Sequence, residues 1–292
     1  MAKITAAAVK ELRDKTGAGM MDSKNALVEA DGDIAKAIEI LRVKGAKKVE
    51  KREGRTAGNG LVAYHISEDA KRGILLEINA ETDFVAKNEN FTTMAEEIVS
   101  AAVDSGASDV ETLLAAPLAD GTVQDRINGL IAVMGEKMEV SHLYVLEGDH
   151  VEAYMHRTNP DLPPQVGVLV ATDDAAASVA HDVAVQIAAM DPQYLSEADI
   201  PDSVRETETR VAMEKTKVEE EEKAAANPKY KAKPEQVLAK IVEGRVKKSL
   251  KESVLLDQEY QRDPQFSVGD IVKKTGGTVT GFVRLRVGAS AE

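Results

Sequence analysis

The 292-residue sequence contains no cysteine and no tryptophan, and aromatic residues make up only 3% of it. Without cysteine there is no disulfide framework, no thiolate metal site and no thiol nucleophile. The core must be built from Ala, Val, Ile and Leu, and with 43% hydrophobic and 30% charged residues the composition is that of an ordinary globular protein. A chain of this length predicts about two domains.

Long apolar runs are also missing, since none approaches the roughly 18 residues that a membrane-spanning helix needs. The chain begins Met1-Ala2-Lys3-Ile4-Thr5 and soon carries Glu11 and Asp14, where a secretory signal would be apolar. We therefore expect neither a membrane span nor a secretory signal. The absence of cysteine fits a cytoplasmic location.

Positive charge is in deficit, with 37 Lys and Arg against 50 Asp and Glu and a net charge of -13. The deficit is uneven, because residues 1–60 sum to +4, residues 61–228 to -22 and residues 229–292 to +5. Binding nucleic acid over the whole surface would require neutralisation of phosphate charge, which this balance disfavours. An acidic body with basic ends suggests a partner-binding protein.

The signatures of common catalytic sites are absent. There is no GxxxxGK[ST] phosphate loop, and Gly17-Ala18-Gly19 lacks the third glycine and the preceding strand of a dinucleotide site. No serine lies in a nucleophile elbow. The histidines form neither an HExxH motif nor a close pair with ligand spacing; they are His65, His142, His150, His156 and His181. We expect no metal site, no cofactor and no catalysis by the chain's own groups.

Residues 1–45 read as a bundle of three short helices. Thr5 and Asp33 are candidate N-caps, Thr16-Gly17 and Asp31-Gly32 mark the breaks, and Gly45 closes the set. Apolar residues recur at three- or four-residue spacing, at Val9, Leu12, Leu27, Ile34, Ile38 and Leu41. Residues 46–60 follow as a basic linker or an exposed helical extension.

The next part of the chain contains one plan twice. Residues 61–67 and 73–80 are apolar runs joined by a polar turn, as in a β-hairpin, and a helix with candidate caps at Asn88 and Asn90 then stops near Gly106. The same order recurs at 151–157 and 166–172, followed by an Ala-rich helix from about Ala175 to Met190. This predicts an α+β fold with two duplicated subdomains and antiparallel sheets, spanning 61–140 and 141–200 with 235–265.

The remaining segments are an arm and a C-terminal unit. Residues 202–226 are polar and favour a helix, breaks follow at Asn227-Pro228 and Lys233-Pro234, and an amphipathic helix returns from Val237. We expect a protruding helical hairpin over 201–234. Residues 266–292 predict a short helix at 268–274 and a strand at 278–287 that pairs with a subdomain sheet.

Two long stretches carry a specific resemblance. LRDKTGAGMMD at 12–22 and EINAETDFVAKN at 77–88 both resemble the bacterial elongation factor Ts family. The resemblance continues at Tyr154-Met155-His156, at 241–245 and at 279–284, so it spans essentially the whole chain in the family's order.

The resemblance implies a guanine nucleotide exchange factor, not itself an enzyme, for the GTPase elongation factor Tu. In that family the N-terminal bundle is similar to a ubiquitin-associated domain and docks on the GTPase domain. The matching residues here are Leu12, Arg13, Thr16, Gly17, Met20 and Met21. Complexes of 1:1 and 2:2 stoichiometry both stay open.

The loop Thr82-Asp83-Phe84-Val85 matches the element that, in the family, acts on the nucleotide site from the magnesium side. His156 matches a further contact, although the proline-rich stretch RTNPDLPPQ at 157–165 is longer than the family's short turn. On sequence alone a phenylalanine at a strand–helix junction is more often a local core residue. The long match favours an exposed contact for Phe84.

Several alternatives remain open at this stage. Met20 and Met21 fit the filling of the bundle as well as a partner contact, and the match favours contact. The basic linker side chains Lys47, Lys48, Lys51, Arg52 and Arg55 could bind RNA, but interrupting glutamates and the absence of an aromatic residue favour a solvated face. A helical scaffold that self-associates through 202–250 is a third hypothesis.

Overall fold

The computed structural model describes residues 4–16, 18–50, 54–227 and 230–289. Within these ranges the chain forms two compact units, one made of the chain up to Ala171 together with the chain from Val283, the other of Thr172–Phe282. None of the described helices is both long enough and apolar enough to cross a membrane.

The N-terminal helices are α1 (Ala6–Thr16), α2 (Met20–Glu29) and α3 (Ile34–Glu50). The predicted caps are present, because Thr5 Oγ1 accepts the N–H of Ala8 at 3.2 Å and Asp33 Oδ1 accepts that of Lys36 at 3.1 Å. The helices enclose one small core, made of Leu12, Ala18, Ala26, Leu27, Ala30, Ala37 and Leu41. The similarity to a ubiquitin-associated domain stays a prediction.

The predicted end of the third helix at Gly45 was wrong, since α3 continues to Glu50. A glycine inside a helix costs only about 1 kcal/mol relative to alanine, and the residues after it favour a helix. The first part of the predicted linker is therefore the helical extension that the sequence left open.

The first sheet has the strand order β1-β2-β5 and both of its pairings are antiparallel. Its strands are β1 (Asn59–Ile66), β2 (Arg72–Ala80) and β5 (Met138–Glu147). The predicted hairpin is confirmed as β1 and β2. The predicted boundary between residues 140 and 141 was wrong, because it falls inside β5, which continues to pair with β2 as far as Arg72 opposite Glu147.

Helices between β2 and β5 cover one face of this sheet. The intervening elements are α4 (Asp83–Ala86), α5 (Glu89–Ser105), α6 (Val110–Leu114), β3 (Pro117–Leu118), β4 (Gly121–Thr122) and α7 (Val123–Met134). Asn88 caps α5 and Gly106 ends it in a left-handed conformation with φ 67°, as predicted. Phe91, Met94 and Ile98 of α5 are fully buried against the sheet.

The second sheet has the order β6-β7-β8, with strands β6 (His150–His156), β7 (Val166–Thr172) and β8 (Val279–Arg286). The predicted pairing of the C-terminal strand with a subdomain sheet is confirmed. In each sheet the second strand is central and helices are inserted before the third strand, while the duplication itself stays a prediction. In the first unit, Val62 and Leu75 of the first sheet pack against Val151, Leu169 and Leu285 of the second.

The second unit is mainly helical, with α8 (Ala177–Met190), α9 (Asp202–Ala226), α10 (Glu235–Ser253) and α11 (Val268–Lys274). The helices α9 and α10 form a helical hairpin, in which Arg245 donates to Glu219 at 2.6 Å and to Thr216 at 3.1 Å. The predicted bounds of 201–234 were wrong, because the second helix of the hairpin is α10, which was predicted to belong to a core subdomain. Short 3-10 turns lie at Asp174–Ala176, Glu197–Asp199 and Leu255–Asp257. The α+β class is confirmed, while the division into six segments otherwise stays a prediction.

Candidate partner-binding site

The predicted contact loop folds into a single helical turn, here called the α4 turn, formed by Thr82 and α4. Thr82 has the extended backbone of an N-cap, with φ -130°, and its hydroxyl oxygen accepts the N–H of Val85 at 3.5 Å. Val85 and Ala86 are buried in the core between the first sheet and its helices. The turn is therefore anchored to the core by two small apolar side chains.

Phe84 projects from the opposite side of the turn and is 74% exposed, which excludes the core-residue interpretation. The Nζ of Lys87 lies 4.7 Å from the centre of the Phe84 ring and 3.4 Å from Oδ2 of Asp83. Because the ring is exposed, it contributes no free energy of apolar burial to the stability of the free protein. The turn thus presents an aromatic ring beside a carboxylate and an ammonium group.

Two glutamates hold the turn from the side. The carboxylate of Glu136 accepts the N–H of Thr82 at 3.0 Å and its hydroxyl at 2.8 Å. The carboxylate of Glu81 accepts the N–H of Lys137 at 2.7 Å and a guanidinium N–H of Arg55 at 3.0 Å. We call this pair, Glu81 and Glu136, the carboxylate clamp. No sequence motif signals the clamp, because each of its glutamates accepts the main-chain N–H of a residue more than fifty positions away.

The four predicted loop residues therefore have different places. Asp83 and Phe84 face outward, the Thr82 hydroxyl makes hydrogen bonds inside the protein, and Val85 belongs to the core with 6% exposure. A partner cannot reach Val85 in this conformation. Asp83 and Phe84 are therefore the loop residues available for contact, whereas Thr82 and Val85 support the turn.

The predicted bundle residues also divide into buried and exposed groups. Leu12 is fully buried in the bundle core, and Thr16 ends α1 by donating its hydroxyl to the carbonyl of Leu12 at 2.6 Å and accepting the N–H of Ala18 at 3.3 Å. Arg13 is exposed on α1. Gly17 lies outside the described residues.

Met20 and Met21, at the start of α2, are 61% and 63% exposed. The interpretation that they fill the bundle was therefore wrong. Val28, seven residues after Met21 on α2, and Val43 on α3 are exposed as well and were not singled out from the sequence. The 3.6-residue period places Met21 and Val28 on one side of α2, with the exposed polar residues Lys24 and Asn25 between them.

His156 is the last residue of β6 and is exposed, with its Nδ1 3.3 Å from the hydroxyl of Tyr154. The proline-rich stretch after it is held in place, because Gln165 donates its N–H to the carbonyl of His156 at 3.0 Å and Pro164 accepts the N–H of Val62 at 2.9 Å. Among the described residues, no hydrogen bond, ion pair or ring contact joins His156 to Asp83 or Phe84.

Within the described ranges, no group of three or more His, Asp or Glu side chains is arranged to hold a metal ion. The pKa values of Asp109, Asp125 and Asp270, which lie at helix starts, are lowered because main-chain N–H groups and hydroxyls donate to their carboxylates.

The α4 turn presents an exposed ring beside a carboxylate, and this arrangement is suited to contact with another molecule.

Known proteins were compared with the whole chain. The family model described as Elongation factor TS matches residues 81–289. A curated protein named Elongation factor Ts from Beutenbergia cavernae is 50% identical over 293 residues, covering 99% of this chain and 100% of that protein. Proteins of the same name from Kineococcus radiotolerans and Bifidobacterium animalis subsp. lactis are 47% and 45% identical, and each alignment covers at least 99% of both chains.

Proposed function

Because this chain belongs to the elongation factor Ts family, we propose that it is a nucleotide exchange factor of translation elongation that binds elongation factor Tu and promotes the release of GDP. A factor of this kind works where translation takes place, which makes the cytoplasm its proposed location. It performs no covalent chemistry, since its whole effect is on the binding of a nucleotide to another protein.

The energetic basis of the proposal is reciprocal coupling. Suppose that the exchange factor binds nucleotide-free elongation factor Tu more tightly than the GDP-bound form. The affinity of elongation factor Tu for GDP must then be lower in the ternary complex by the same ratio. Accelerating release by four decades would need about 5.5 kcal/mol of differential stabilisation. Contacts that form only when the nucleotide site is disturbed must supply this difference.

The exposure of Phe84 on a fixed turn is the observation that carries the proposal. Moving an aromatic ring from water into an apolar site contributes roughly 1.5–3 kcal/mol, and in the free protein that contribution is unused. A ring inserted between loops of the GTPase can stabilise a conformation in which those loops no longer surround the nucleotide.

We assign Asp83 a role next to the ring. The resemblance places this loop at the magnesium side of the nucleotide site, where the cation and main-chain N–H groups neutralise the phosphate charge. A carboxylate brought to that region competes for the same positive groups, and the ring displaces the segment that carries them. Both effects weaken the retention of GDP.

The N-terminal bundle is proposed to dock on the GTPase domain. Met20 and Met21 support this role because they are exposed, unbranched and adaptable, and Arg13 supplies a charge on the neighbouring helix. Docking through the bundle would hold the α4 turn close to its target and raise its effective concentration. The exposed His156 is a further proposed contact.

The experiment that tests the proposal is release of fluorescent GDP from elongation factor Tu of the same organism in the presence of excess unlabelled GDP. Catalytic amounts of the wild-type factor are expected to accelerate release, and Asp83→Ala and Phe84→Ala should both be slower. Tyr64→Ala is the matched control for Phe84→Ala and should leave release unchanged, because Tyr64 is also an exposed aromatic residue but lies in the middle of β1. No acceleration by folded wild-type protein would refute the proposed function.

A further inference from the structure

The carboxylate of Glu136 supports the α4 turn through hydrogen bonds from a distant part of the chain, in addition to the core packing of Val85 and Ala86. Glu136 follows Gly135, which ends α7 in a left-handed conformation with φ 77° and turns the chain toward β5. From there both oxygens of Glu136 face Thr82, at 2.8 Å and 3.0 Å from its hydroxyl and 3.0 Å from its N–H. The first residue of the turn is thus fixed through two donors.

The hydrogen-bond capacity of the threonine hydroxyl explains why this contact controls the turn. A hydroxyl has one proton to donate and two lone pairs that accept. When Thr82 donates its proton to Glu136, a lone pair remains for the N–H of Val85, which lies 3.5 Å away. Without the carboxylate the hydroxyl is free to rotate, and the cap of a helix only four residues long becomes weaker.

The second half of the carboxylate clamp makes the arrangement reciprocal. Ala80 and Met138 are the last paired residues of β2 and β5 at this end of the sheet. Beyond them, the carboxylate of Glu81 accepts a hydrogen bond from the N–H of Lys137, and the carboxylate of Glu136 accepts one from the N–H of Thr82. Two carboxylates therefore replace the carbonyl acceptors that the diverging strands no longer provide.

We propose that Glu136 is a positioning residue for nucleotide exchange, which holds the α4 turn so that Phe84 and Asp83 are already in place when the partner arrives. The inference rests on the proposed function. Because the Phe84 ring has no place in the core, its position is set by the main chain that carries it. A turn left mobile would have to be ordered on binding, and that ordering opposes association.

The same segment connects the turn to the bundle. Val133 of α7, three residues before Glu136, packs against the core of the N-terminal helices. The helix α7 thus packs against the bundle, and Glu136, just after its end, forms hydrogen bonds with the α4 turn. One segment therefore contacts both regions that are proposed to bind the partner.

The test compares GDP release by full-length Glu136→Ala, Thr82→Val, their double variant and Thr82→Ser. We expect Glu136→Ala and Thr82→Val each to lower the second-order rate constant of exchange about tenfold, and the double variant to lower it by less than the product of the two effects. Thr82→Ser keeps the hydroxyl and should stay near wild type. Glu147→Ala, at the far end of β5 with an exposed carboxylate, is the matched control.

A second readout in the free factor separates positioning from general loss of stability. The amide of Val85 should exchange with solvent at least about tenfold faster in Glu136→Ala, because the cap that protects it is weakened. Ile98→Val, a buried change in α5 that lowers stability by a comparable amount, should leave GDP release unchanged.

The outcomes distinguish failure of the positioning role of Glu136 from failure of the proposed exchange function. If Phe84→Ala slows exchange while Glu136→Ala and Thr82→Val do not, the positioning role is overturned and the proposed function stands. If the wild-type factor does not accelerate GDP release at all, the proposed function itself fails. Should Glu136→Ala fold poorly, Glu136→Gln decides instead, because it keeps the side-chain size but only one acceptor oxygen for the two donors of Thr82. Exchange at the wild-type rate by Glu136→Gln would then overturn the positioning role.

Discussion

The α4 turn and the surface of α2 both expose apolar side chains, but they support them differently. Met20 and Met21 lie on a ten-residue helix whose inner face packs in the bundle core, so their positions follow from regular helix geometry. Phe84 lies on a four-residue helix that depends on Val85, Ala86 and the carboxylate clamp. An exposed side chain on a long helix needs no further support, whereas one on a single turn needs neighbours from elsewhere in the chain.

This difference suggests a division of work between the two regions. A helix surface with adaptable side chains is suited to affinity, while a ring held at a fixed position is suited to displacing particular loops of a partner. Substitutions in the two regions should therefore have separable effects on affinity and on the maximum rate of exchange.

Phe84→Ala should slow nucleotide exchange by at least tenfold even at saturating factor, because truncating a buried interface anchor often costs about 2 kcal/mol. The stability of the free protein should not change, since the ring is 74% exposed. Stopped-flow release of fluorescent GDP measures the first quantity and thermal unfolding the second. An unchanged maximum rate would remove the ring from the mechanism.

Met20→Ala combined with Met21→Ala should raise the factor concentration needed for half-maximal exchange about tenfold, with the maximum rate retained. The reason is that the bundle is proposed to contribute to association and not to the displacement step. Titration of the factor in the same release assay measures both parameters. A fall in the maximum rate instead would mean that the two surfaces do not divide the work.

Val85→Ala should lower the free energy of unfolding by about 1–3 kcal/mol, because Val85 is buried in the core beneath the turn. Val103→Ala, the same substitution at an exposed position of α5, should change it by less than about 0.5 kcal/mol. Urea unfolding of both variants checks this. Equal effects would contradict the anchoring of the α4 turn by its inner side chains.

Glu220 tests whether a carboxylate also fixes a loop in the arm. Hydrogen bonds from Lys233 and from the Tyr230 hydroxyl lower the pKa of Glu220 to about 2. Because the pKa is lowered in the folded state, the stabilisation is present above the ordinary value of 4.5 and is lost as the pH falls through about 2. Titration by NMR should show this midpoint in wild type. A Glu220 midpoint near 4.5 would contradict the contact.

Local chemistry made much of the fold predictable from the sequence. The caps at Thr5, Asp33 and Asn88 act through neighbours a few residues away, so their helices could be placed without any knowledge of the tertiary structure. The extension of α3 past Gly45 was missed because a glycine ends a helix only where the chain takes up the left-handed conformation. The strand β5 was divided by a predicted boundary because its pairing with β2 is long-range.

The candidate site was less predictable than the fold. Periodicity could not decide whether Phe84 is buried or exposed, and the expectation of exposure came from the resemblance. Val85 was predicted as a contact, although a four-residue helix must turn one side toward the core. The contact between Thr82 and Glu136 joins residues 54 positions apart, and no local pattern signals such a pair.

A titration of GDP release against factor concentration separates docking from loop displacement, when wild type, Phe84→Ala and the double methionine variant are compared in one series. If the α4 turn performs the displacement, the methionine variant should reach the wild-type maximum rate at higher concentration, while Phe84→Ala should stay at least about tenfold below that maximum at every concentration. The opposite pattern, in which Phe84→Ala recovers at high concentration and the methionine variant does not, would contradict the assignment of displacement to the α4 turn.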